Sequence, residues 1–290
     1  MINVLVTGGK GQLASCIKDI DKQYEDLNFI YTDYQELDIC DLNQVNAFFK
    51  SNQKIDYCIN CAAYTAVDKA EIEVDKVFEI NATGPKNLAV ACREFDTILI
   101  QVSTDFVFDG EKDEPYSETD VAKPISVYGA SKLQGEQEII KTLETYFILR
   151  TSWLYSEHGT NFMKTMLKLA ETRDEISVVS DQIGTPTYAG DLAAVILKII
   201  SSKNINFGPY HYSNEGVASW YDFAKAIFEA SNIEIKLNPI KTSAYPTPAK
   251  RPVFSVMDKT KVKSDLNIVI PKWQDSLRKI IRNKQNNQLF

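Results

Sequence analysis

The chain has 290 residues, 44% of them apolar and 24% charged, which suits one large α/β domain or two lobes sharing a cleft. A net charge of −7, with no basic run before the carboxyl end, argues against nucleic acid as a partner. No apolar run reaches the roughly 18 residues of a membrane span, and Met1-Ile2-Asn3 leads straight into a strand with no signal-peptide pattern, so a soluble, cytoplasmic protein without a membrane partner is expected.

The first strand pattern is Asn3 to Thr7, followed by the turn Gly8-x-x-Gly11-x-x-Ala14 with Gly9 as an additional glycine. Glycine permits a tight strand-to-helix turn and close approach of a pyrophosphate. The helix predicted from Gln12 to Asp19 would then offer phosphates the free N–H groups around Gln12 and Leu13 and its positive dipole end. A second strand, Phe29 to Thr32, runs into Asp33, about where a carboxylate takes a ribose 2′-hydroxyl. That favours NADH, whereas Lys10 in the turn favours the 2′-phosphate of NADPH; both stay open. Asp38-Ile39 either caps the adenine ring or forms a turn. Further along come a helix from Leu42 to Asn52, a strand from Asp56 to Ala62, a long helix from Val74 to Phe95 and a strand from Ile98 to Ser103. A charged, proline-bearing loop spans Asp109 to Pro124, ahead of a helix from Tyr128 to Leu143 and a strand from Tyr146 to Arg150. Such alternation predicts βαβ units and an α/β fold: a Rossmann-type doubly wound parallel sheet.

After Arg150 the rhythm changes. Helices are predicted over 161–172, 190–202, 220–230 and 273–283, a short strand over 176–179, and a proline-rich loop over 243–252. Residues 1–152 are read as the dinucleotide-binding domain. Residues 153–290 are read as mainly a smaller substrate-binding lobe, with segments near 188–215 returning to the first domain. The basic stretch Arg278 to Lys284 continues an amphipathic pattern that faces solvent.

Five cysteines, an odd number, do not suggest a disulfide framework. Cys58 and Cys61 fall in one strand pattern, where i and i+3 point to opposite faces. With only two histidines and no second paired-cysteine motif, no metal site is expected.

Tyr128 and Lys132 lie four residues apart on a predicted helix and therefore share a face. An adjacent ammonium favours phenolate over phenol, lowering the tyrosine pKa from about 10 and making the phenol a proton donor or acceptor near neutral pH. Ser103-Thr104-Asp105 ends the preceding strand.

Together these strings resemble the extended short-chain dehydrogenase/reductase superfamily, and more narrowly its dTDP-4-dehydrorhamnose reductase family. The glycine turn and Tyr128-Gly-Ala-Ser-Lys132 mark the superfamily. Ala63-Tyr-Thr-Ala-Val-Asp68, Arg150-Thr-Ser-Trp153 and Pro246-Thr-Pro-Ala-Lys-Arg-Pro252 are narrower. The resemblance implies reduction of a 4-keto group on a dTDP-linked deoxy sugar, with NADPH or NADH as cofactor. It implies that Ala62, Ala63, Tyr64 and Thr65 line the cofactor's middle and that Thr104 binds the reacting carbonyl. Tyr128 would be the acid, with Lys132 on the nicotinamide ribose. Asp105 and Trp153 would border the sugar, and Arg251 would meet the diphosphate, which needs a cation.

Some members are magnesium-bridged dimers; Ala14-Ser-Cys-Ile17 lacks the carboxylate this would need, so a monomer or weak homodimer is expected. Three rival functions bear on the same residues. A dehydratase needs a second carboxylate where Phe106 stands. A 4-epimerase differs only in retaining its nicotinamide through the cycle. A non-catalytic regulatory subunit, resembling the β subunit of methionine adenosyltransferase, has no need of Thr104, Tyr128 and Lys132.

Overall fold

The computed structural model describes residues 1–287. In chain order its elements begin with β1 (Ile2–Thr7), α1 (Gln12–Ile20), β2 (Leu27–Tyr31), α2 (Leu42–Ser51) and β3 (Tyr57–Asn60). They continue with α3 (Val67–Ala70), α4 (Val74–Phe78), α5 (Gly84–Glu94), β4 (Ile98–Thr104), α6 (Val127–Thr142) and β5 (Tyr146–Thr151). The second half contributes β6 (Leu154–Tyr155), α7 (Phe162–Ala170), β7 (Glu175–Val179), β8 (Ile183–Gly184), β9 (Thr187–Tyr188) and α8 (Ala189–Ser201). β10 (Gly208–His211), β11 (Ala218–Ser219), α9 (Trp220–Ser231), β12 (Lys236–Ile240), α10 (Thr260–Leu266) and α11 (Trp273–Asn287) complete it.

Six parallel strands form the main sheet in the order β2-β1-β3-β4-β5-β10. The chain moves from β1 outward to β2, then back past β1 to β3, so the order reverses between β1 and β3. Ligands of doubly wound sheets bind at such a switch point, beyond the carboxyl ends of the strands. Alternation along the strands sends Val4, Val6, Tyr57 and Ile59 to one face, under α1 and α8, and Leu5, Cys58, Leu99 and Ile148 to the other, under α2, α5 and α6. Cys58 and Cys61 accordingly sit in different cores. A separate core gathers Tyr155, Met163, Ile176, Phe223, Trp273 and Leu277.

Two sequence expectations need correction. The helix predicted over 74–95 is broken: α4 ends at Phe78, residues 79–83 make a π-helical turn, and α5 restarts at Gly84. Pro85 lacks an N–H and suits a helix's first turn, and the wide turn swings the buried Asn81 inward. The strands over 208–211 and 236–240 and the helix over 260–266 carry too few periodic apolar residues to stand out in sequence, and tertiary pairing selects them.

Helix α6 packs closely on the turn after β4 and on the π-helical turn at 79–83. A Cβ on Gly129 would fall on the Phe106 carbonyl, and one on Gly135 on that of Asn81. One face of α6 then meets β5 through a buried ion pair. The Arg150 guanidinium donates to Glu136 from Nη2 at 2.7 Å and from Nε at 3.0 Å, while Ser103 Oγ donates to Glu136 at 2.5 Å. His211 stands 3.4 Å from Arg150; burial and that neighbouring charge hold its imidazole neutral, with its pKa down at about 3. Breaking such a pair strands a buried charge, at about 3–5 kcal/mol. Glu136→Ala should therefore lower stability by that amount in urea denaturation, and the double variant Glu136→Gln/Arg150→Met should recover a large share of the loss.

Candidate active site

Gly8 turns the chain at the end of β1 with φ of +64°. A Cβ there would stand 2.7 Å from the Ala62 nitrogen, so the loops leaving β1 and β3 cross only because residue 8 is glycine. The Gly11 N–H closes the turn on the Gly8 carbonyl at 2.8 Å. Helix α1 follows with no capping side chain and no acidic residue in its first turn, leaving its initial N–H groups and dipole for an anion.

Beyond the turn opens a cleft of about 680 Å³, lined by Gly8, Gly11, Asp33, Asp38, Ile39, Ala62 and Ala63 together with Tyr34, Cys61 and Lys76. Lys10 and Asp33 face each other at 3.8 Å, the ammonium largely in solvent. This glycine cradle, with uncapped N–H groups on one side and a carboxylate on the other, fits a dinucleotide.

Six residues assigned to the cofactor in sequence, Gln12, Leu13, Tyr64, Thr65, Tyr128 and Lys132, stand outside that lining. Leu13 is buried in the core. The Gln12 side chain donates to the Leu154 carbonyl at 3.2 Å. Thr65 is exposed. Tyr64 gives its hydroxyl to Glu73 at 2.8 Å and its N–H to Asn81 at 2.8 Å. Asn81 also donates to Ser131 Oγ at 3.0 Å, joining the loop after β3 to α6. Sequence reasoning did not single out Asn81 or Glu136 as functional, because each acts through contacts formed only after folding.

Thr104 ends β4, and Tyr128 and Lys132 sit one turn apart near the start of α6. Ser126 caps that helix, accepting from the Gly129 N–H at 3.2 Å, and Glu71 accepts the Val127 N–H at 2.9 Å. The Tyr128 ring meets Phe106 edge-on at 5.6 Å. Burial pushes its phenol up to about 12, with the Thr104 hydroxyl pulling the other way and the Asp105 charge adding to the rise. The sequence expectation was a lowered phenol. It fails because desolvation outweighs the cation, and because Lys132 Nζ donates to the Val102 carbonyl at 2.7 Å. Lys132 is itself pushed down to about 8 by burial, against the opposing charge of Glu136 on the next turn. Tyr128 thus holds its proton at neutral pH, as a donor must.

Asp105 is 1% exposed. Its Oδ1 accepts from the Thr104 hydroxyl at 3.1 Å, and among the described residues its Oδ2 has no hydrogen-bond partner. Burial raises this carboxyl to about 6, while the Ser255 and Thr104 hydroxyls draw it back. Trp153 adopts the left-handed backbone region at φ +46°, and its indole stacks on Trp220 at 3.6 Å. Gly184 makes room: a Cβ there would meet the indole at 2.7 Å. The Arg251 guanidinium is forked onto Asp68 at 2.8 and 3.1 Å and also donates to Thr247 at 2.6 Å, which fastens the proline-rich loop to α3.

A parallel sheet with a glycine turn at its switch point and a Tyr-x-x-x-Lys helix at its carboxyl edge defines a protein of the short-chain dehydrogenase/reductase type. The family model for the RmlD substrate binding domain matches residues 2–286. A dTDP-4-dehydrorhamnose reductase of Aggregatibacter actinomycetemcomitans is 41% identical over 97% of this chain and 98% of its own length. Among solved structures, a dTDP-4-dehydrorhamnose reductase from Clostridium acetobutylicum superposes with a TM-score of 0.94 at 44% identity, covering 98% of this chain and 100% of that one. The corresponding reductase of Bacillus anthracis, solved in complex with NADP, superposes at 0.92 with 39% identity, over 98% of this chain and 100% of that one. The chain belongs to the dTDP-4-dehydrorhamnose reductase family, a family of oxidoreductases.

The raised Asp105 carboxyl has a measurable consequence. Its folded pKa of about 6 lies above the unfolded value, so the folded state binds the extra proton between roughly pH 4 and 6. The stability that Asp105 contributes is full below pH 4 and is lost as pH rises through 6. Relative to Asp105→Asn, the wild-type chain should therefore lose on the order of 3 kcal/mol between pH 4 and pH 7 in urea titrations. A constant difference across that range would refute the assignment.

Proposed function

We propose that this protein reduces the 4-keto group of dTDP-4-dehydro-6-deoxy-L-mannose (dTDP-4-dehydrorhamnose) to give dTDP-L-rhamnose, using NADPH or NADH. The observation that carries the reading is the placement of Tyr128 and Lys132 one turn apart on α6, at the carboxyl edge of the sheet where Thr104 ends β4. Residues 1–152 would form the dinucleotide-binding domain and 153–290 mainly the substrate lobe, segments near 188–215 rejoining the first. The protein would act as a monomer or weak homodimer.

Gly8, Gly11 and the first turn of α1 would hold the pyrophosphate. Asp33, Asp38 and Ile39 would border the adenosine end, and Ala62 and Ala63 the middle. Lys10 beside Asp33 offers a cation to a 2′-phosphate, in keeping with the NADP found in the Bacillus anthracis relative. When bound, the nicotinamide supplies the hydride that adds to the keto carbon. Thr104 donates to the carbonyl oxygen and orients it. Tyr128 transfers its phenolic proton to that oxygen as negative charge develops, and Lys132 stabilises the tyrosinate left behind. The proton then returns to Tyr128 from solvent.

Asp105 beside Thr104 and the indole of Trp153 would frame the sugar. Arg251 and the loop it fastens would lie toward the diphosphate. A purely regulatory dinucleotide-binding subunit would have no use for three such groups at one strand end, and Phe106 removes the second carboxylate that dehydration needs.

The test is loss of nicotinamide absorbance with the dTDP-4-keto sugar as substrate. Tyr128→Phe should reduce kcat by roughly 10²–10⁴ while dinucleotide binding is kept; unchanged turnover would end the assignment. Gly8→Ala, which forces a side chain into the Ala62 backbone, should instead abolish dinucleotide binding measured by calorimetry.

A further inference from the structure

Helix α1 carries, beyond the turn that borders the cleft, a second set of groups with chemistry of their own. Cys16 and Asp19 are three residues apart and share one face. The loop after β6 lays His158 over them, with its Nε2 2.6 Å from Asp19 Oδ2. The thiol sulfur, a carboxylate oxygen and a ring nitrogen all fall within 4.8 Å of one another. A tetrahedral zinc with bonds of about 2.0–2.3 Å needs donor atoms roughly 3.3–3.8 Å apart, so modest side-chain rotations complete the geometry.

We propose that Cys16, Asp19 and His158 form a zinc site that staples the cofactor-side helix α1 to the chain following Trp153. The loop is organised for it without metal. Ser156 Oγ accepts the His158 N–H at 3.0 Å, and Asn161 Nδ2 donates to the Ser156 carbonyl at 2.8 Å and to Gln12 Oε1 at 2.7 Å. These bonds fix His158 relative to α1 before any ion arrives. Thiolate, imidazole and carboxylate together select zinc over magnesium. Asp19 and His158 reach solvent, so water or the neighbouring Glu157 can complete the shell.

The local charge points the same way. Glu157 accepts from the Tyr188 hydroxyl at 3.0 Å, and Lys164 bonds the Glu157 backbone carbonyl, not its carboxylate. Among the described residues neither Asp19 nor Glu157 is paired with a lysine or arginine. The site does not depend on the proposed reaction and uses none of its residues.

The experiment uses the full-length, metal-stripped protein titrated with Co²⁺ and then Zn²⁺, and read by absorbance. Stoichiometric binding should give a thiolate-to-cobalt charge-transfer band and tetrahedral d–d bands that one equivalent of Zn²⁺ erases, together with a zinc-dependent rise in Tm. Cys16→Ser should remove the charge-transfer band, and His158→Ala should weaken zinc binding by at least about 100-fold. His158 is partly solvent-exposed, so its variant tests the site even where the substitution at buried Cys16 disturbs folding. Absence of the band at saturating Co²⁺, or zinc affinity unchanged in His158→Ala, would overturn the site; a band persisting in Cys16→Ser would place the metal on another thiol and overturn it equally.

Discussion

The Glu136 carboxylate and the Arg150 guanidinium meet buried from solvent, and the geometry of the candidate site follows from how they are held. Glu136 lies one turn beyond Lys132 and two beyond Tyr128, so fixing it against β5 fixes the whole inward face of α6. Ser103, the residue before Thr104, donates to the same carboxylate, which locks the end of β4 into the arrangement. A buried ion pair offers little net stability over an apolar pair of similar size, but it is intolerant of displacement. That intolerance sets the register of helix against strand. The glycines at 129 and 135 let the same helix seat against the carbonyls of Phe106 and Asn81.

Around this frame the ionisable groups are held away from their ordinary behaviour. Asp105 is raised, Lys132 lowered and Tyr128 raised, in each case chiefly by burial. Desolvation of this kind weakens the fold, and its clustering at one strand end is what a chemical site, as opposed to a structural ion pair, would produce. The strained backbone of Trp153 and its stack on Trp220 lie against the separate core that gathers Tyr155, Phe223 and Trp273. The zinc staple proposed at Cys16 would tie α1 to the chain that follows β6.

Much of the architecture was legible before folding. Apolar runs bounded by turns marked β1, β3, β4 and β5, and the glycine turn was placed because a strand precedes it and a helix follows. Tyr128 and Lys132 were found by their four-residue spacing. Less visible were β10, whose four residues gain strand character from pairing with β5, and the π-helical turn at 79–83, where local pattern favours one unbroken helix. The direction of the Tyr128 shift was misjudged because spacing reports which groups are neighbours and is silent on how dry they are.

The sequence by itself determined the strands β1, β3, β4 and β5, the glycine turn and the residue types at the sheet's carboxyl edge, since periodicity, turn chemistry and helical spacing are local properties. Only the tertiary structure decided what those residues meet. Arg251 is forked onto Asp68, far away in the chain, Lys132 turns to the Val102 carbonyl, and His158 comes to rest on Asp19 across a separation of 139 residues. The reason is physical: burial and electrostatics depend on the distances between parts of the chain remote in sequence, and those distances exist only once the sheet has closed and α6 has docked upon it.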